Sequence, residues 1–153
     1  MALRARIADS LKQAMKDKAA DRLSTLRLIN AAIKDKDIAA RATGNDDGAS
    51  EDEVLAILGK MSKQRMESAR AYEEGGRLDL AEREREEIEV IEEFLPRQLS
   101  EEEVAQAIDG AIAEQGASSI RDMGKVIGAL KGKYTGQMDF GKVGPMVKER
   151  LSA

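Results

Sequence analysis

Apolar residues recur every three to four positions along nearly the whole chain, and no segment alternates apolar and polar residues at a period of two. The first spacing places the apolar side chains on one face of a helix, whereas a half-buried strand needs the second. Proline, which interrupts helices, occurs only twice in 153 residues. The chain is therefore predicted to be all-α.

Local signals mark where these helices begin. A serine followed three residues later by a glutamate has the capping-box spacing that opens a helix. This spacing occurs at Ser50 with Glu53 and at Ser100 with Glu103. Residues 42–50 are rich in Gly, Asp and Asn, which predicts a loop before the third helix.

Glycine and proline mark where other helices end. Gly75 is predicted to end the third helix in a left-handed conformation, and Pro96 to end the fourth. Pro145 is predicted to lie in the first turn of the last helix, where proline is tolerated. These breaks predict a four-helix N-terminal domain over residues 1–95 and a small three-helix C-terminal domain over residues 96–153.

Each predicted helix carries an apolar stripe that we expect to be buried. The stripes are Leu3, Ile7, Leu11, Ala14 and Met15 in the first helix, Leu23, Leu26, Leu28, Ile29, Ala32 and Ile33 in the second, and Ile120, Met123, Ile127 and Leu130 in the sixth. The basic, amphipathic segment at 1–22 has features of a transit peptide. Its three aspartates, Asp9, Asp17 and Asp21, favour a structural first helix instead.

The chain contains no histidine and no cysteine. This composition excludes Ser-His and Cys-His nucleophile systems, zinc sites built on imidazole or thiolate, and di-iron sites built on Glu-x-x-His pairs. We predict no catalytic residue, no metal site and no cofactor, which disfavours an enzyme that works by itself. The lack of cysteine is compatible with a cytoplasmic protein. Apolar runs of only a few residues predict no membrane span.

Charge is distributed unevenly along the chain, whose net charge is −4. Residues 42–95 carry 7 basic and 16 acidic side chains, whereas residues 120–153 carry 7 basic and 3 acidic ones. An acidic protein is a poor nonspecific binder of nucleic acid, but a locally basic end can still contact phosphate. Solvated helix faces that pair with one another explain the same blocks equally well.

An acidic cluster at 82–93 lies on the predicted fourth helix, and Glu84 falls on the apolar stripe of that helix. A charge in such a position needs either solvent or a partner, and the third helix would run antiparallel beside it. The predicted ion pairs join Glu84 or Glu87 to Lys63, Arg65 or Arg70. A catalytic pair of carboxylates is disfavoured, because paired acids need a cleft and two different environments.

The stretch DMGKVIGALKGKYTG at 122–136 has a glycine at every fourth position and three lysines among them. It is one residue short of a P-loop, has Tyr134 where a serine or threonine would bind magnesium, and contains no G-x-G-x-x-G. Its charges exclude a membrane-embedded G-x-x-x-G contact. What remains is a helix, in which each interior glycine costs roughly 1 kcal/mol relative to alanine. Such glycines let another backbone come close, either that of a neighbouring helix or that of a nucleic acid.

Three joined motifs give nearly the whole chain a resemblance to the GatB/YqeY family. They are Arg77 through Glu84, the L-P-x-x-L-S junction at Leu95 to Ser100, and Met123-Gly124-Lys125-Val126. The resemblance implies a two-part helical fold whose C-terminal domain is similar to the tail of the B subunit of the glutamine-dependent tRNA amidotransferase. In that enzyme the tail helps to hold misacylated tRNA. Ile127 and Lys131 depart from the methionine-like residues expected in the family, and Lys131 adds a charge on the line of the glycines.

The resemblance implies tRNA contact at the glycines and bases of the C-terminal domain. These residues are Gly124, Lys125, Gly128, Lys131, Lys133, Lys142 and Lys148. It also implies carbon–nitrogen ligase activity with glutamine as amido donor, although the kinase-like cradle and the amidase of the amidotransferase have no counterpart here. We therefore expect a tRNA-binding accessory module whose partners are tRNA and an amidotransferase or an aminoacyl-tRNA synthetase. The alternative is a helical protein-interaction module that docks on a partner enzyme without RNA contact, and the oligomeric state stays open.

Overall fold

The structure is a computed structural model that describes residues 2–152. Those residues form seven α-helices and one short 3-10 turn, with no strand among them, which confirms the all-α prediction. The helices are α1 (Leu3–Lys16), α2 (Ala20–Ala42), α3 (Glu51–Glu74), α4 (Leu78–Glu92), α5 (Glu101–Gln115), α6 (Met123–Tyr134) and α7 (Phe140–Ser152), and the 3-10 turn is Ile120–Asp122. None of these helices is long and apolar enough to cross a membrane.

Contacts divide the chain into two compact units, Met1–Leu95 and Pro96–Ala153. In the N-terminal unit, α1 to α4 enclose a core whose largest fully buried side chains are Leu26, Ile29, Leu58 and Ile91. The first segment of the chain is thus a structural helix, as predicted, because Leu3 and Ile7 lie in this core.

Two residues of the predicted stripes are exposed instead. Met15 is 53% exposed and Leu28 is 46% exposed. At 100° per residue, Ala14 rather than Met15 continues the line of Ile7, and Leu28 lies about 100° away from the buried Ile29. The stripes were therefore drawn too wide at these positions.

The loop between α2 and α3 is organised by one carboxylate, that of Asp37. This side chain accepts a hydrogen bond from the backbone N–H of Ala49 at 2.8 Å and forms a salt bridge with the guanidinium of Arg4. Arg4 also donates to the carbonyl of Ala49 at 3.0 Å. The pKa of Asp37 is lowered to about 2. The largest cause is the hydrogen bond from the Arg4 guanidinium, and the next is the hydrogen bond from the Ala49 N–H. Composition predicts the loop but not this connection, which joins residues 33 and 45 positions apart.

Both predicted capping boxes are formed. The backbone N–H of Glu53 donates to the Ser50 hydroxyl at 3.2 Å, and Ser50 N–H donates back to Glu53 at 3.1 Å. The pair Ser100 and Glu103 makes the same two bonds at 3.1 Å each. These contacts span only three residues, so their geometry follows from local sequence.

The end of α3 differs from the prediction by one residue. Gly75 has a φ of −84°, and Gly76 takes the left-handed conformation with a φ of 76°. The N–H of Arg77 then donates to the carbonyl of Tyr72 at 2.8 Å, which closes the helix end in the manner of a Schellman motif. A sequence with two adjacent glycines does not specify which of them takes the left-handed position.

In the C-terminal unit, α5, α6 and α7 enclose a second core that includes Ile108, Val126, Leu130, Val143 and Val147. The predicted stripe of α6 is confirmed at Leu130 and at the partly buried Met123 and Ile127, and it was wrong at two other positions. Val126, which it omitted, is fully buried, and Ile120, which it included, is 48% exposed. The cause is the 3-10 turn before α6, because it rotates Ile120 out of the α-helical register that the stripe assumed.

The prediction that Pro145 lies in a first turn was also wrong. Helix α7 begins at Phe140, so Pro145 is its sixth residue. A proline there leaves the carbonyl of Gly141 without its helical hydrogen bond. Gly141 is exposed, which leaves that carbonyl open to water.

Candidate nucleic-acid interface

Helix α6 begins at a turn that is held by a carboxylate. Asp122 accepts hydrogen bonds from the backbone N–H groups of Ser118 at 3.0 Å and Ser119 at 3.4 Å. These two bonds, with a smaller contribution from the nearby charge of Lys125, lower the pKa of Asp122. These hydrogen bonds fix the turn at which α6 begins, and the start of the helix determines which way each following residue faces.

One face of α6 consists of Gly124, Gly128 and Gly132, and all three are exposed. A Cβ atom added to any of them would meet no atom within 4 Å outside its own stretch of helix. At 100° per residue these glycines point away from Val126 and Leu130, which bury the opposite side of the helix. We call the exposed side, with Lys125 and Lys131, the glycine face.

No neighbouring helix of the described chain explains these glycines. The helix-packing alternative requires a backbone close to the glycine face, and the surroundings of all three residues are empty. Each interior glycine weakens a helix by roughly 1 kcal/mol relative to alanine. The cost is therefore not offset by any contact that residues 2–152 make with one another.

The lysines of α6 remain available to a ligand. Within residues 2–152, Lys125, Lys131 and Lys133 form no salt bridge with a carboxylate. The ammonium of Lys131 lies 6.0 Å from the centroid of the Phe140 ring, and that of Lys133 lies 5.7 Å from the centroid of the Tyr134 ring. These weak cation–π contacts leave the ammonium groups at the surface.

The two remaining predicted contacts, Lys142 and Lys148, are exposed residues of α7. They are six positions apart, which places them about 120° apart around that helix. One helix face therefore does not hold both of them. Arg150, also on α7, is bound to Asp109 of α5 at 2.7 Å and contributes little free positive charge.

Arg121 is a basic residue that the sequence-based set left out. It is exposed, lies in the 3-10 turn just before α6, and forms no ion pair with the described residues. Its position three residues before Gly124 was a usable signal, because residues at that spacing are neighbours on a helical surface.

The ion pairs predicted in the N-terminal unit occur in part. Arg65 of α3 donates to Glu87 of α4 at 2.9 Å and also to the carbonyl of Met61 at 3.2 Å. Arg70 and Glu84 form no ion pair within the described residues. Arg70 lies five positions after Arg65, which turns it about 140° away from the contact between α3 and α4. Lys63 is exposed on α3.

A cleft of about 390 Å³ lies between α5 and α6, on the side of α6 that carries Leu130 and Lys133 rather than on the glycine face. Small and apolar residues such as Ala107, Gly110 and Leu130 line it, and charged residues lie at its rim. Within residues 2–152 no three carboxylates are grouped closely enough to share a metal ion. The chemistry that this region offers is thus binding of a polyanion, through backbone that is open to close approach and through unpaired ammonium groups.

Comparison with known protein families matches residues 4–151 to the family described as Yqey-like protein. Two yeast proteins, both named altered inheritance of mitochondria protein 41, mitochondrial, are similar to the chain. The one from Meyerozyma guilliermondii is 32% identical over 141 residues, which is 91% of this chain and 65% of that protein. The one from Clavispora lusitaniae is 41% identical over 86 residues, which is 56% of this chain and 46% of that protein.

The chain thus spans less than two thirds of the length of these relatives. The family match, in contrast, covers nearly all of its residues, including both helical units and the glycine face. The chain belongs to the YqeY-like protein family.

Proposed function

We propose that this protein is a tRNA-binding accessory module related to glutamine-dependent tRNA amidation. The observation that carries the proposal is the glycine face of α6. Its three glycines have no packing role inside the described chain, and unpaired lysines accompany them. A ligand from outside is the reason that we propose for a helix surface without side chains.

A sugar-phosphate backbone fits this surface. Glycine lets a partner approach the helix backbone closely, and lysine ammonium groups neutralise phosphates without reading base sequence. The segment 120–153 has a net charge of +4 in a chain whose total is −4, so the glycines lie in a locally basic segment of the sequence. This combination suits recognition of RNA by shape and charge, which weakens steeply as salt rises.

The amide-forming chemistry belongs, in this proposal, to a partner enzyme. The chain has no histidine or cysteine, which excludes nucleophiles activated by histidine and thiol nucleophiles within it. We therefore place carbon–nitrogen ligase activity with glutamine as donor in an amidotransferase, or in an aminoacyl-tRNA synthetase that supplies it. We propose the cytoplasm as the compartment in which they meet, because the cysteine-free composition is compatible with it.

The alternative, a protein-interaction module without RNA contact, predicts an apolar groove along the exposed side of α6. The glycine face does not have that character, because Lys125 and Lys131 flank it and no large apolar side chain of α6 is strongly exposed. Charge and open backbone support the RNA proposal over this alternative.

The decisive experiment measures the affinity for total tRNA at two salt concentrations. We expect the double variant Lys125→Glu/Lys131→Glu to bind at least about tenfold more weakly at low salt. We also expect the slope of log affinity against log salt to fall by roughly 2, one for each lost phosphate contact. Lys34→Glu/Lys60→Glu makes the same charge change at exposed positions of the N-terminal unit and is the matched control. Equal loss in both double variants, or no loss in either, would show that the glycine face does not contact tRNA.

A further inference from the structure

The cleft between α5 and α6 is lined by one further glycine that the fold does not explain. Gly110 lies in the interior of α5, is exposed, and would meet no atom within 4 Å if it carried a Cβ. It also lines the cleft. A side chain at this position would occupy the cleft, so alanine or any larger residue would reduce the space that glycine keeps open.

The two carboxylates that line the cleft from α5 differ in whether they have a partner. Along α5 the lining residues Glu103, Ala107, Gly110 and Glu114 share one helix face over about 16 Å. The carboxylate of Glu103 is occupied, because Arg97 donates to both of its oxygens at 2.8 Å. Glu114, by contrast, is exposed and forms no hydrogen bond or ion pair with the rest of residues 2–152.

The α6 side of the cleft supplies a cation. Lys133 lines it and has no carboxylate partner within the described chain. The half-buried ring of Tyr134 lies 5.7 Å from the Lys133 ammonium and holds it at the cleft rim through a cation–π contact. The cleft therefore has an unpaired acceptor, a floor of small residues and an unpaired cation.

We propose that this cleft holds one unpaired nucleotide of the bound RNA, with a base that carries an exocyclic amino group. The inference rests on the proposed function. The flat base lies against the small residues around Gly110, its amino group donates to Glu114, and Lys133 binds its phosphate. Adenine, cytosine and guanine carry such an amino group. Uracil presents carbonyl oxygens there, and these repel a carboxylate.

The test compares RNA hexamers of A, C and U as competitors of labelled tRNA. We expect the A and C hexamers to bind wild type roughly tenfold more tightly than the U hexamer, since a good base-edge contact discriminates by about that factor. In Glu114→Gln the side-chain amide both donates and accepts, so the ratio should fall towards one. Gly110→Leu should weaken the A and C hexamers and leave the U hexamer unchanged, because it fills the cleft.

Gly59→Leu is the matched control for the change in helix propensity. Gly59 is also an interior helical glycine without a contact within 4 Å, but it lies in α3 of the N-terminal unit. Melting curves of both leucine variants establish that each is folded. The Gly59 variant should leave all three hexamer affinities unchanged.

The outcomes separate this inference from the proposed function. Tight tRNA binding that depends on Lys125 and Lys131 but shows no base preference and no effect of Gly110→Leu overturns the cleft proposal alone. Absence of tRNA and hexamer binding overturns both proposals. Adenosine monophosphate that binds as tightly as the A hexamer would identify a free nucleotide as the occupant and overturn the RNA source.

Discussion

Gly48 in the loop before α3 and Gly128 in α6 have opposite relations to their surroundings. Gly48 is buried, has a φ of 79°, and an added Cβ would lie 2.5 Å from an oxygen of Asp37. Gly128 is exposed, is helical, and an added Cβ would meet nothing within 4 Å. The fold itself requires the first glycine, whereas no contact of the described chain requires the second.

If the proposed function is correct, this difference separates glycines that serve folding from glycines that serve binding. Replacing the first kind should damage the protein's stability. Replacing the second kind should improve stability and damage the interaction with a ligand. Substitutions at the two glycines are therefore expected to have opposite effects on the free energy of unfolding.

The largest effect is expected for Gly48→Ala. The left-handed backbone strains any residue with a Cβ by about 1–3 kcal/mol, and the collision with Asp37 adds to that strain. Gly44→Ala is the matched control, because Gly44 has a φ of 94° in the same loop but open space around it. Urea unfolding should show that Gly48→Ala lowers the free energy of unfolding by about 1–3 kcal/mol more than Gly44→Ala. Equal losses would mean that backbone conformation alone requires Gly48.

The next effect is present at neutral pH and disappears at acidic pH, and it tests the carboxylate of Asp37, which lies against Gly48. The folded-state pKa of Asp37 is about 2, below the value of about 4 for an unfolded chain. The ionised carboxylate therefore stabilises the fold above about pH 4, and this contribution is lost as pH falls from about 4 to about 2. Asp37→Asn should be less stable than wild type at pH 7, and the two unfolding free energies should approach each other towards pH 2. Parallel curves over that range would contradict the role given to Asp37.

A smaller effect of opposite sign is expected for Gly128→Ala. Alanine in the middle of α6 should raise the free energy of unfolding by about 0.5–1 kcal/mol, because it removes the helical cost of glycine. Gly59→Ala in α3 should give a similar gain. The two variants should differ in tRNA affinity, which we expect to fall several-fold only for Gly128→Ala. A Gly128→Ala variant that is more stable but binds tRNA with unchanged affinity would contradict a binding role for Gly128.

The smallest effects concern charged side chains of α3 and α4 in the N-terminal unit and of α6 in the C-terminal unit. Arg65 and Glu87 are partly buried and bonded to each other, so a double-mutant cycle with alanine should give a coupling of about 0.5–1 kcal/mol. The cycle with Arg70 and Glu84, which are not bonded to each other, should give a coupling near zero. Lys131→Gln should leave stability within about 0.5 kcal/mol of wild type, because the ammonium has no carboxylate partner. A coupling for Arg70 and Glu84 as large as that for Arg65 and Glu87 would contradict this assignment.

Much of the fold follows from short-range sequence signals, and the failures are long-range. The capping boxes at Ser50 and Ser100 were predictable, because their bonds span three residues. The connection of Asp37 to Arg4 and Ala49 was not, because no local pattern links positions so far apart in sequence. The exposure of Ile120 was missed for a related reason, since a periodic stripe assumes one continuous helix and a 3-10 turn breaks the register.

For the candidate site, sequence alone identified a helix with regularly spaced glycines and lysines, but it left two explanations for them. Helical periodicity determines which residues share a face, because it depends on backbone geometry alone. Whether another helix covers that face depends on how α5 and α7 pack, which local sequence does not specify. Only the tertiary structure showed that the surroundings of Gly124, Gly128 and Gly132 are empty and that a cleft lies between α5 and α6, because empty space is a property of how the helices are arranged.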